Sequence, residues 1–130
     1  MKLMVCFDGS DVAKDALHLA ADLGRKLDAS ISVVRSVSSK TADDVILIEQ
    51  IEKNLDDTKS LFFKQGLACD THLLIRGMST GEDLVVFAAE NAVDFIIIGI
   101  KRRSKVGKMI FGSTAQYVIL KTKCPVITVK

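Results

Sequence analysis

Asp94-Phe95-Ile96-Ile97-Ile98-Gly99 decides the fold. Phe95 to Ile98 is a β-rich run with no polar alternation, the pattern of a strand covered on both faces, and such strands lie in the middle of parallel sheets. The opening run Lys2 to Phe7 has the same character and ends at Asp8-Gly9-Ser10. Beyond it Val12, Ala16, Leu19, Ala20, Leu23 and Leu27 recur at the 3.6-residue period of an amphipathic helix, with Ser10 as its N-cap. The unit is strand, turn, helix.

The pattern repeats along the chain. Ser30 to Val37 reads as a second strand, and Thr41 with Asp44 has capping-box spacing ahead of a long helix through Val45, Ile48, Ile51, Leu55 and Phe62, stopped by Gly66. Cys69 to Ile75 reads as a third strand, followed by Arg76-Gly77 and a Ser79/Glu82 capping box that opens a third helix. Gly112-Ser113-Thr114-Ala115-Gln116 offers a cap-and-Gln pairing for a helix to about Lys121, and Pro125 introduces a last strand, Val126 to Val129. Five strands alternating with four helices imply right-handed crossovers and an open parallel α/β sheet with helices on both faces. The two unbroken apolar strands belong side by side, which predicts the order 3-2-1-4-5.

Composition narrows the function classes. A chain of 130 residues, 48% hydrophobic and 26% charged, reads as a single domain spanning residues 1–130, without internal repeat or linker. Its apolar runs fall far short of the roughly 20 residues of a membrane span. The N-terminus has an acidic residue where a secretory signal would carry small ones, so the expected location is cytoplasmic. Cys6, Cys69 and Cys124 are odd in number and scattered in or beside apolar runs, and read as buried thiols. With only His18 and His72 to assist, no metal-ligand spacing exists, so no metal site is expected.

Charge is unevenly placed. The net charge is +2, yet Lys101, Arg102, Arg103, Lys105 and Lys108 supply +5 within eight residues, leaving −3 on the other 122. That distribution points to one anion-binding place. In an open parallel sheet the ligand crevice lies at the carboxyl ends of the strands where the winding reverses, here between strands one and four. Asp8-Gly9-Ser10 forms one rim, and the connection from Gly99 through Ser113 and Thr114 forms the other. A helix beginning near Ser113 would aim free amides into the crevice, and Ser113 and Thr114 add hydroxyl donors. Asp8 suits a ribose hydroxyl or a bound Mg²⁺ better than bare phosphate. Glycines after strands are also ordinary turn residues, and a Lys/Arg run is often a solvated loop, so spacing alone leaves both readings open. Neither GxxxxGK[ST] nor a GxGxxG after the first strand is present.

Val5-Cys6-Phe7-Asp8-Gly9-Ser10, Asp94 to Gly99, Gly112-Ser113 and Cys124-Pro125-Val126-Ile127-Thr128-Val129 together resemble the universal stress protein family, in order and over essentially the whole chain. The resemblance implies a Rossmann-like fold of the adenine nucleotide alpha hydrolase type. It also implies ATP or AMP in the crevice through a pattern G-x-x-G-x9-G-[ST], a regulatory role in stress response, and a homodimer through Val126–Val129. Gly99 and Gly112-Ser113 match that pattern with the correct count, while Arg102 stands at its middle glycine. By the same resemblance Asp8 would sit near the ribose or a metal, Ser36 would offer backbone to adenine, and Ile98 would pack near the base. Gly99, Gly112, Ser113 and Thr114 would hold phosphates, with Gly9, Ser10, Lys101 and Arg102 in the same site.

Arg102 leaves a second reading open, a dimeric stress-signalling or scaffold module with no nucleotide. The crevice offers Asp8 and hydroxyls but no neighbouring His or Cys as base or nucleophile, so at most very slow ATP hydrolysis is expected. A nucleic-acid patch at Lys101–Lys108 is the weakest reading, since the chain is not strongly basic and only Phe111 is near for stacking.

Overall fold

The structure, a computed structural model, describes residues 1–100 and 111–130. Among them run β1 (Lys2–Cys6), α1 (Asp11–Leu27), β2 (Ser30–Ser36), α2 (Ser39–Ala42), α3 (Val45–Lys64), β3 (Cys69–Leu74), α4 (Thr80–Glu90), β4 (Phe95–Gly99), α5 (Ser113–Lys121) and β5 (Val126–Val129). The strands form one sheet in the order β3-β2-β1-β4-β5, all neighbours parallel, as the two apolar runs require. Register sets Cys6 level with Val34 on one side and Ile98 on the other, so the central strands end together.

Two apolar layers flank the sheet. On one face Leu3, Val5, Val33 and Ile97 pack against Ala16 and Ala20 of α1 and Leu55 and Phe62 of α3; on the other, Met4, Val34, Ile96 and Ile98 pack against Leu84 and Phe87 of α4 and Val118 of α5. Strand alternation sends successive residues to opposite layers, and both layers are apolar because helices cover both faces. All seven of Leu3, Met4, Val5, Val33, Val34, Ile96 and Ile97 have no exposure.

The helix starts show which capping signals act. Ser10 caps α1, its Oγ accepting from the Ala13 amide at 3.2 Å, and Ser79 caps α4 through the Glu82 amide at 3.4 Å. The expected Thr41/Asp44 box does not form. Ser38 instead takes the Thr41 amide at 3.3 Å and opens the extra four-residue α2, and Asp44 itself caps α3 by accepting from Leu47 at 3.1 Å. At α5 the N-cap is Gly112, without a side-chain hydrogen bond, so the expected pairing with Gln116 is replaced by a bare helix start. Ser113 is the first helical residue rather than the cap.

The cysteines separate by environment. Cys6 is buried, and burial, with the Cys124 and Asp8 charges adding, pushes its thiol up to about 12. Cys69 and Cys124 are half-buried rather than buried, because each lies at the margin of a layer, Cys69 in the outer strand β3 and Cys124 just ahead of the outer strand β5.

Candidate functional site

A cavity of about 410 Å³ opens at the carboxyl ends of β1, β2 and β4 and is closed on one side by the start of α5. That size falls within the range of small-molecule sites, roughly 300–1,000 Å³. Its floor is apolar: Cys6, Val34 and Ile98 rise from three adjacent strands, Leu84 from α4 and Ala115 from α5. The polar groups stand around this floor. Asp8 follows β1, Arg35 and Ser36 end β2, Thr80 opens α4, and Gly112, Ser113 and Thr114 begin α5.

Of the residues expected at the site, Asp8, Ser36, Ile98, Gly99, Gly112, Ser113 and Thr114 are brought together here. Gly9 and Ser10 are not among its walls. Gly9 makes the turn out of β1 with φ +83, a conformation that favours glycine, and faces a second cavity between α1 and α3. Ser10 is occupied by capping α1 and by donating to Asp8 Oδ1 at 2.6 Å, while its amide reaches the same oxygen at 3.0 Å. Lys101 and Arg102, with the rest of the basic segment through Lys108, lie outside the described residues.

Gly99 lines the cavity, but its missing side chain serves packing. A Cβ there would stand 2.8 Å from Val12 Cγ1 and 3.0 Å from the Val12 carbonyl, so the glycine lets the first turn of α1 close on the end of β4. Gly112 is different, since nothing lies within 4 Å of the position its Cβ would take. The first amides of α5 have no intrahelical acceptor, and among the described residues no side chain caps them at this positive end of the helix dipole. Such an end accepts anions. The Thr114 hydroxyl pairs with that of Thr80 at 2.8 Å, tying α5 to α4 at the cavity edge.

Two features escaped the sequence reading. Arg35 is a half-buried guanidinium on the cavity wall, its Nη1 3.4 Å from where a Gly9 Cβ would stand. Burial lowers its pKa and the nearby Asp8 charge opposes that shift, so a charged guanidinium and a carboxylate share this rim. A cation within a strand otherwise free of charge, near its carboxyl end, was the available signal. The second feature is Asp83 of α4, fully buried, which accepts from Ser36 Oγ at 2.8 Å and from Arg76 Nε at 2.5 Å. Arg76 Nη1 also donates to Glu90 at 2.7 Å, and the Glu90 and Asp83 contacts raise its pKa. Ser36, at the cavity wall, is therefore tied to α4 through its hydroxyl.

His18 is exposed on α1. His72 stacks at a tilt on Phe87, 4.8 Å between ring centres, with Nε2 3.2 Å from Asp70. Neither lines the cavity. Among the described residues no helix is long and apolar enough to cross a membrane.

The family model described as the universal stress protein family matches residues 1–130. A universal stress protein of Methanocaldococcus jannaschii is 26% identical, covering 99% of this chain and 81% of its own length. A solved universal stress protein structure from Archaeoglobus fulgidus is 38% identical with a TM-score of 0.86, covering 100% of this chain and 98% of that one. Another from that organism, in complex with dAMP, is 34% identical with a TM-score of 0.82 over the same shares.

Proposed function

This chain belongs to the universal stress protein family, and from that premise we propose that it binds an adenine nucleotide, ATP or AMP, and acts as a homodimeric regulatory protein in stress response. The observation that carries the reading is the cavity itself, an apolar floor at the ends of three central strands facing a helix start at Gly112-Ser113 that no side chain caps among the described residues. A phosphate suits the amides of α5, a planar base suits the apolar floor, and a ribose between them would lie near Asp8. The relative solved in complex with dAMP, 34% identical over the whole chain, supports a nucleotide of this class. Asp8, beside Arg35, would meet ribose hydroxyls directly or a Mg²⁺ carried in by ATP.

The same cavity supports binding more than turnover. Its walls hold no histidine, and its one cysteine, Cys6, has a thiol pushed up to about 12, far from a nucleophilic thiolate at neutral pH. The protein thus reports a nucleotide rather than consuming it, in the cytoplasm, and hydrolysis near about 1 per second would contradict that.

The test is direct. Protein purified without added nucleotide is denatured and any released small molecule identified by mass spectrometry, then ATP, ADP and AMP are titrated by calorimetry with and without Mg²⁺. Micromolar binding of at least one is expected; no binding at millimolar concentration would sink the reading. The second reading, a dimeric module that takes no nucleotide, rests on Arg102 at the middle glycine of the family pattern. Restoration of binding by Arg102→Gly in a protein that otherwise fails to bind would establish it.

A further inference from the structure

The helices on the two faces of the sheet meet in different ways. α4 and α5 are in direct contact, so close at Gly81 that an added Cβ would stand 2.8 Å from the Tyr117 Cβ. Between α1 and α3 a cavity of about 370 Å³ intervenes, again within the range of small-molecule sites. Its floor is Phe7, Leu17, Ala21 and Phe62, each no more than 8% exposed. Toward the C-terminal ends of the two helices a brace joins them: Arg25 Nη1 donates to Gln65 Oε1 at 2.8 Å, and Arg25 Nη2 donates to Asp22 at 2.6 Å. Toward the start of α1 the wall is Gly9, which has no side chain to fill the space.

The rims of this cavity carry opposite charge. On α1, Lys14 and His18 stand one turn apart and offer an ammonium and a ring N–H; on α3, Asn54 and Asp57 offer an amide and a carboxylate. Among the described residues Lys14 pairs only with Asp11 of its own helix, at 3.8 Å, and the side chains of His18 and Asp57 make no hydrogen bond or ion pair. The cation and the anion thus stay apart across the cavity rather than closing it. Deeper in the wall Thr58 is buried and donates to the Asn54 carbonyl at 2.8 Å, so the polar capacity left over sits at the rim.

A ligand that matches both parts has an apolar body for the floor and, at one end, a positive and a negative group for the two rims. An anionic amphiphile would set its charge against Asp57, and a cationic one would meet Lys14. We propose that the cavity between α1 and α3 is a second small-molecule site, which takes a zwitterion with an apolar body, the class of an aromatic or branched α-amino acid. Its carboxylate lies toward Lys14 and His18, its ammonium toward Asp57, and its side chain on Leu17, Ala21 and Phe62. The site does not depend on the nucleotide reading, since Phe7 is the one residue among those described that lines both cavities.

Titration of the isotope-labelled whole chain, followed through its amide NMR shifts, tests the site with three probes: L-phenylalanine, hydrocinnamate, which lacks the ammonium, and phenethylamine, which lacks the carboxylate. Phenylalanine is expected to saturate with a Kd of about 1 mM or tighter, with shifts centred on residues 14–21 and 54–65. Each half-probe is expected to bind about tenfold or more weakly, because it leaves one rim charge without its partner. Lys14 and Asp57 are exposed, so substitution there leaves the fold intact. Asp57→Asn should remove the preference for phenylalanine over hydrocinnamate, and Lys14→Gln the preference over phenethylamine. Absence of a saturable shift at about 20 mM phenylalanine, or shifts centred on Asp8 and Ser113 instead, would overturn the site. Hydrocinnamate or phenethylamine binding the wild type as tightly as phenylalanine would overturn the zwitterion.

Discussion

Single residues at the mouth of the sheet have roles that their neighbours decide. Gly99 belongs to the family's phosphate pattern, yet Val12 occupies the space a side chain would need, at 2.8 Å from the virtual Cβ. Gly99→Ala should destabilise the protein by about 1–3 kcal/mol, read as a lower urea midpoint, because the obstructing atoms include backbone. Cys6 yields a pH prediction. Its folded pKa, raised to about 12 from the ordinary 9.0, exceeds the unfolded one, so its contribution is fully present below pH 9 and is lost as pH rises toward 12. Cys69, raised to about 11 by burial first and Asp70 second, acts in the same sense. Denaturant stability should therefore fall between pH 9 and 12, and Cys6→Ala should flatten that fall.

Elements set what the residues can offer. Among the described residues the starts of α1, α2, α3 and α4 are closed by Ser10, Ser38, Asp44 and Ser79, whereas α5 begins on Gly112, which has no side chain to cap it. A carboxylate introduced at that end should act in opposite directions on two readouts. Ser113→Asp is expected to raise stability slightly, by about 0.3–1 kcal/mol through the helix dipole, and to weaken nucleotide binding tenfold or more by occupying and repelling at the phosphate position. A drop in stability with unchanged affinity would place the ligand elsewhere. The Thr80–Thr114 hydroxyl pair at 2.8 Å joins α4 to α5, so α4 carries both Asp83 and one of the contacts that position the α5 start.

The whole molecule leaves β5 at one edge of the sheet, with Val126, Ile127 and Val129 half-buried and Thr128 exposed. An edge with no charge within the strand and, among the described residues, no strand paired beyond it is a template for pairing with a second copy. Sedimentation equilibrium at micromolar concentration should give about twice the 14.2 kDa chain mass. Thr128→Lys, placing a lysine on each copy of the paired edge, should shift the population toward monomer. A wild-type mass of one chain would exclude the β5 dimer.

Much of the framework was legible in the residues. Phe95 to Ile98 and Leu3 to Cys6 have apolar side chains at every second and every intervening position, so both faces had to be covered, and the strand order followed from that. The cavity walls at Asp8, Gly112, Ser113 and Thr114 were legible too, because chain order places them in the connections that follow the central strands, and Ile98 was implied by the family resemblance. Tertiary structure alone decided the roles of Gly99, Arg35 and Asp83, whereas the cap by Ser10 was legible in the sequence. Gly99 is consumed by Val12, a contact with no periodic signature. Asp83 lies one turn inside α4, where a sequence pattern reads an acidic residue as solvated; only the approach of Ser36 and Arg76 makes it a buried, fully paired carboxylate. Periodicity records which face is apolar, whereas hydrogen-bond partnership depends on segments 47 residues apart meeting at one atom.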